Sequence, residues 1–143
     1  MWVVNFGEEF EPEFLALDES VQDEALVMVK LLKRFGPQLS RPRAVTLKNS
    51  KHANMKELRF DAANGVWRIA FAFDPARRAI LLVAGDKSGG SETRFYRELI
   101  RKADRRFDAH LHRMMTEEAE AKTGARSAQK TNRGGIDRDQ KRR

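Results

Sequence analysis

Residues 66–73 read VWRIAFAF, and their alternation constrains the fold more than any other stretch. Trp67, Ile69, Phe71 and Phe73 fall on one side of a strand, and Val66, Arg68, Ala70 and Ala72 on the other. A side that carries three aromatic rings must be covered, so the strand belongs to a sheet backed by helices. Arg68 then stands on the opposite, small-residue side. Upstream, residues 55–60 (MKELRF) put Leu58 and Phe60 on the core side, with Lys56 beside Leu58. Glu57 and Arg59 share the side of Arg68. Residues 61–65 (DAANG) join the two runs as a hairpin with an Asn-Gly signal at its end. After a turn at 74–78, the run AILLVA at 79–84 lacks alternation, as a strand covered on both faces does.

The flanking segments supply another strand and the helices. Residues 2–6 (WVVNF) read as a short strand. Phe10, Phe14 and Leu17 mark a short helix over 8–17 with an acidic outer side. Ser20 is a candidate N-cap for a second helix over 21–35, with Val21, Ala25, Met28, Leu32 and Phe35 in one stripe and Gly36-Pro37 as its stop. Two helices so close in sequence predict an antiparallel hairpin. Residues 39–54 show no period and read as an exposed basic connection. A Gly/Ser loop at 85–93 leads into a helix over 94–116, with Phe95, Leu99, Ala103, Phe107 and Leu111 on one side. Residues 117–143 are charged and poor in apolar residues, which predicts a basic, disordered tail beyond a domain of residues 1–116. The expected fold is a small α+β domain. Its antiparallel sheet, an N-terminal strand plus a three-strand meander, packs against the helical hairpin and the last helix on one face.

Charge is distributed unevenly. The chain has 28 basic and 21 acidic residues, net +7. Residues 1–40 carry −5, residues 41–106 carry +9, and residues 117–143 carry +3. A strongly basic middle favours a polyanion partner such as nucleic acid. The absence of cysteine excludes disulfides, thiolate metal ligands and a Cys nucleophile. No apolar run approaches the ~20 residues of a membrane helix, and no secretory signal is visible; a cytoplasmic protein with no membrane association is expected. His110 and His112 are two apart on a helix and do not converge, so no metal and no cofactor is expected. In GDKSGG at 85–90, Lys87 and Ser88 precede the second glycine pair, the wrong order for a nucleoside triphosphate loop.

Arg59 and Arg68 fall on neighbouring strands, which lie roughly 4.8 Å apart. Two adjacent cations call for a shared anion between them, or for Glu57 or Asp61 to pair with them as a solvated sheet face. Lys87 leaves the buried strand toward the same side. Tyr96 opens the last helix, where its ring can half-pack, stack on a base or assist proton transfer.

Taken together, NMKELRF (54–60), GVWRIAFAFDP (65–75), LLVAGDKSG (81–89) and FYRELIRKADRRFDAHL (95–111) resemble the RelE/HigB-type toxins of bacterial toxin–antitoxin modules, in particular their phage-derived branch. The resemblance spans about residues 1–111. It implies a ribosome-dependent endoribonuclease that cuts messenger RNA, held inactive by a cognate antitoxin, often a helix-turn-helix DNA-binding protein. Carried over by position, it implies a site of Lys56, Arg59, Arg68, Lys87 and Tyr96, with Lys56 as base, the arginines as phosphate clamps, Lys87 as a phosphorane or backbone contact and Tyr96 as a stacking or proton-transfer group. Some branches use His and Asp instead. This chain has no His in the GDK turn, which favours the basic set. With RNA as ligand, Arg41, Arg43, Lys48, Lys51 and His52 of the basic connection and Arg94 become the expected RNA contacts. ParE-type toxins, which share the fold and target DNA gyrase, lack the convergent basic residues. A plain RNA- or ribosome-binding domain without chemistry is the third expectation.

Overall fold

In a computed structural model, which describes residues 1–134 and side chains through residue 124, the α+β class and the order of elements stand as expected. The elements are β1 (Val3–Phe6), α1 (Phe10–Leu15), α2 (Glu19–Phe35), a single 3-10 turn (Gly36–Gln38), β2 (Ala44–Thr46), β3 (Lys56–Ala62), β4 (Gly65–Phe73), β5 (Arg78–Asp86) and α3 (Glu92–Gly134). The chain divides into two compact units, Met1–His110 and Leu111–Arg143. Helix α3 continues through residues 117–134 of the stretch expected to be disordered; Glu117, Glu118, Ala119, Glu120, Ala121 and Lys122 are good helix formers even without an apolar side. The remainder of that tail lies outside the described residues.

The sheet has five strands in the order β1-β5-β4-β3-β2. The meander β3–β4–β5 is antiparallel, and β1 lies beside β5 in parallel, so the sheet is mixed. The helices α1 and α2 therefore link β1 at one edge to β2 at the other. Strand β2 corrects the expectation of an irregular connection: it is a three-residue edge strand paired with β3, too short to leave a period. The β3–β4 turn is tighter than expected. Ala62 pairs with Gly65, and the two residues between, Ala63 and Asn64, have φ of 51° and 61°, the signature of a two-residue turn whose twist matches the strands. The N-cap of α2 is Asp18, not Ser20; Ser20 Oγ instead donates to the Asp18 carboxylate at 2.7 Å.

The helices cover both faces, where one was expected. Phe10, Phe14, Ala25, Met28 and Leu32 pack with Leu58, Ile69, Phe71 and Leu81 on one face. On the other, Tyr96 of α3 reaches Glu57 and Arg68, and a Cβ on Gly85 would come within 2.8 Å of the Phe95 ring. Ala70 and Ala72, fully buried, provide the flat surface that lets α3 lie close. This two-sided cover explains why β5 shows no alternation. A bulge contributes too: Ala70 pairs with Val83 and Phe71 with Leu81, leaving Leu82 without a ladder partner. Arg106 Nη1 donates to the Leu82 carbonyl at 2.8 Å while the same guanidinium makes a two-pronged bond to Glu13.

Candidate functional site

Strands β3 and β4 register Arg59 directly opposite Arg68. Like charges opposite one another are unfavourable unless compensated. The compensating group is Glu57, two residues before Arg59 and so on the same face, with a side chain only 2% exposed. Arg59 Nε donates to Glu57 Oε2 at 2.9 Å, and the Tyr96 hydroxyl donates to the same oxygen at 3.1 Å. Arg68 Nε donates to the Tyr96 hydroxyl oxygen at 3.2 Å and lies 3.8 Å from Glu57 Oε1. Glu57 Oε1 is buried and accepts no hydrogen bond among the described residues. Of the two arrangements left open by the sequence, Glu57 does pair with the arginines, but as a buried carboxylate under α3 rather than on a solvated face.

One carboxylate between two guanidiniums leaves the cluster positive. Only one of the five N–H groups of Arg59 is taken by Glu57, and its side chain is 32% exposed. Burial works against its charge, but the bond and attraction of Glu57 outweigh this and raise its pKa further. The Tyr96 hydroxyl is raised above its ordinary value, chiefly by burial and then by the Glu57 charge, against the lowering bond from Arg68. Tyr96 therefore keeps its proton at neutral pH.

Glu57, Arg59 and Tyr96 of the cluster line a groove of about 800 Å³. Lys48 lies on one wall, in the segment after β2; Tyr96, Arg97 and Arg101 lie on the other, in the first turns of α3. The loop carrying Lys48 is fastened to α3. Lys51 N donates to Asp104 at 3.1 Å, His52 Nε2 donates to Asp108 at 2.8 Å, and Lys51 Nζ pairs with Asp108. His52 also stands edge-on to Phe107, with ring centroids 4.9 Å apart. A second groove, about 480 Å³, lies toward α2 and is bordered by Arg43, Arg59 and Arg68.

The geometry thus sorts the expected residues. It brings Arg59, Arg68 and Tyr96 together, sets Lys48 on the groove wall and Arg43 on the second groove. Lys87 sits at the end of β5 with Nζ 3.9 Å from Glu92, which borders the main groove. Lys56 is not with them. Its Nζ donates to the Pro37 carbonyl at 3.2 Å on the face of Leu58, where the strand period had put it. Lys51 and His52 hold the loop to α3. Arg41 is exposed in the turn before β2, and Arg94 borders a different pocket beside Gly89 and Gly90. Three residues at the groove were not foreseen as site residues: Glu57, Arg97 and Arg101. Arg97 and Arg101 are four apart, beside the buried Leu99 and Ile100; that spacing was the available signal, but it locates no groove until the packing of α3 is known.

Residues 12–108 match the family described as phage derived protein Gp49-like (DUF891). A Mycobacterium tuberculosis protein provisionally named toxin HigB2 is 43% identical over 96 residues, which are 66% of this chain and 47% of that protein. A second, provisionally named toxin HigB3, from the same organism, is 43% identical over 98 residues, 68% of this chain and 83% of that protein. The chain thus spans about half the length of the first of these relatives and most of the second. No solved structure matches it significantly. The likeness to phage-derived HigB-type proteins read from the sequence motifs agrees with these matches, and the chain belongs to the Gp49-like family of phage-derived proteins.

Proposed function

We propose that this protein is the toxin of a toxin–antitoxin module, acting in the cytoplasm as a ribosome-dependent endoribonuclease on translated messenger RNA. The toxin names of its two relatives point to the module, and one observation supports the chemistry: Arg59 and Arg68, side by side, held by a buried carboxylate and a tyrosine hydroxyl where two basic grooves meet at Arg59. Cleavage of RNA by its own 2′-hydroxyl requires a group to receive that proton and cations to stabilise the pentacoordinate phosphorane. Arg59 and Arg68 supply the cations. The 2′-hydroxyl passes its proton to the Tyr96 oxygen as Tyr96 passes its own to Glu57, 3.1 Å away. The 2′-oxygen bonds to phosphorus, the bond to the 5′-oxygen breaks, the leaving oxygen takes a proton from water in the open groove, and the hydroxide so formed takes back, through Tyr96, the proton held on Glu57. The products are a 2′,3′-cyclic phosphate and a 5′-hydroxyl. Lys56, on the opposite face, has no part in this scheme, and Lys87 serves the rim of the groove.

Primer extension on messages translated in the presence of the protein tests the reading: cuts within codons are expected. No cuts, with stalled gyrase, would assign it to the ParE type; neither effect would leave a binding domain. Glu57→Gln keeps the volume but removes the proton acceptor, and cleavage should fall by about 10²-fold or more. Unchanged cleavage would remove Glu57 from the proton path.

The partner in this reading is a cognate antitoxin, a helix-turn-helix DNA-binding protein. Its docking surface is the acidic pair α1–α2, where Leu15, Leu26 and Val27 are also exposed. Glu13 is already engaged by Arg106, so the test reverses Glu11, Glu19 and Asp23 to Lys. Antitoxin affinity should drop and lose its salt dependence. If binding instead falls only with Arg59→Glu/Arg68→Glu, the antitoxin covers the groove.

A further inference from the structure

Arg59 borders two grooves at once. The larger runs along α3 and carries Lys48, Arg97 and Arg101; the smaller turns toward α2 and carries Arg43 and Arg68. The arrangement follows from the shortness of β2. Its ladder ends where Ala44 meets Leu58, one further bond joins the Arg59 N–H to the Arg43 carbonyl at 2.9 Å, and from Phe60 onward β3 has no strand beside it on that edge; the two grooves meet at Arg59. A site of this form has an approach on either side of the reacting position.

We propose that the two grooves are one through-running track for single-stranded RNA, with the arginine pair at its midpoint, Lys48, Arg97 and Arg101 holding backbone phosphates on one side and Arg43 on the other. This rests on the nuclease reading above and deepens it. Four cations, Lys48, Arg59, Arg97 and Arg101, border the larger groove against two carboxylates, Glu57 and Glu92. The exposed pair of Arg101 with Glu98 is too weak to withdraw it from a phosphate. In the smaller groove Glu24 and Asp61 offset more of the charge, so that arm holds the strand less tightly. Both grooves also have apolar walls, Val45 and Ile100 beside Tyr96 in one, Val27 and Leu31 in the other. Unstacked bases can lie on such walls, whereas a duplex keeps its bases stacked inside. A track open at both ends takes an internal phosphate and needs no strand terminus, which is what an endonucleolytic cut requires.

The test measures binding, apart from cleavage. The probes are a fluorescent single-stranded RNA and its covalently closed circular form, each with 2′-deoxyribose throughout a central segment; affinity is read by anisotropy over a range of salt. The circle should bind as tightly as the linear strand. Each lost phosphate contact should reduce the slope of log affinity against log salt by about 0.7. Arg43→Gln should therefore reduce it by about 0.7, and Arg97→Gln/Arg101→Gln by about 1.4. All three residues are exposed, and thermal melts check that the variants are folded. Rejection of the circle, or slopes equal to wild type in both variants, overturns the track. Wild-type protein that cuts translated message yet binds neither probe at low salt overturns the track alone. Wild-type protein that neither cuts nor binds overturns the nuclease reading as well.

Discussion

Arg68→Ala is expected to lower cleavage of translated message by about 10²–10³-fold, the loss typical of removing one preorganised donor to a developing anion. The side chain is 11% exposed and held from two directions: Nε donates to Tyr96, and Nη1 donates to the Trp67 carbonyl at 3.0 Å. The guanidinium is thus fixed before substrate arrives and need not be reorganised at the moment of reaction. Alanine removes the charge and also releases Tyr96. Arg68→Lys separates these effects: it keeps a cation but loses the planar fork, so it should recover only part of the rate. Primer extension gives the rates, and circular dichroism confirms that both variants fold. Cleavage by Arg68→Ala equal to wild type would end its role as a clamp.

The largest expected stability effect lies elsewhere, at Asp74. Its side chain is fully buried, and it organises the β4–β5 turn. Oδ1 accepts from the backbone N–H of Ala76 at 2.9 Å and of Arg78 at 3.0 Å; Oδ2 accepts from Arg78 Nε at 3.1 Å and from His110 Nε2 at 2.9 Å. Asp74→Ala leaves those donors without their acceptor and should cost about 3 kcal/mol or more. Tm should drop by about 10 °C or more, while the Arg59–Arg68 cluster keeps its own bonds. Burial pushes the Asp74 carboxyl upward, but the bonds from His110 and Arg78 outweigh it, and the net shift is downward. A group with a depressed folded pKa contributes stability that is present above its unfolded value of about 3.9 and is lost as pH falls through the folded value. Wild-type protein should therefore lose urea resistance below about pH 4, and Asp74→Ala should lose less of it over the same range. A variant as stable as wild type at neutral pH would show the turn to be held by other contacts.

The local periods of the sequence determined much of this protein. The alternation of residues 66–73 and 55–60 put Arg59 and Arg68 on one face of neighbouring strands, and the structure pairs them directly. The same period put Lys56 on the Leu58 side, away from them; family resemblance moved it into the site, and the geometry follows the period. The helical stripes of α2 and α3, the Gly36-Pro37 stop and the unalternating β5 were legible for the same reason: each is written within a few residues.

Tertiary structure decided the rest, because it depends on residues far apart in the chain. Glu57 became a buried counter-ion only when Tyr96, 39 residues away, covered it. Lys51 and His52 looked like free basic residues until α3 brought Asp104 and Asp108 against their loop, Asp108 lying 56 positions beyond His52. Arg97 and Arg101 reached the groove because α3 crosses the face opposite α1 and α2, a choice set by the small side chains of Ala70 and Ala72 under it. The alternating pattern of a strand states which residues share a face. It does not state which helix will cover that face, and the helix that does so determines which charges are buried, which are paired and which remain for a ligand.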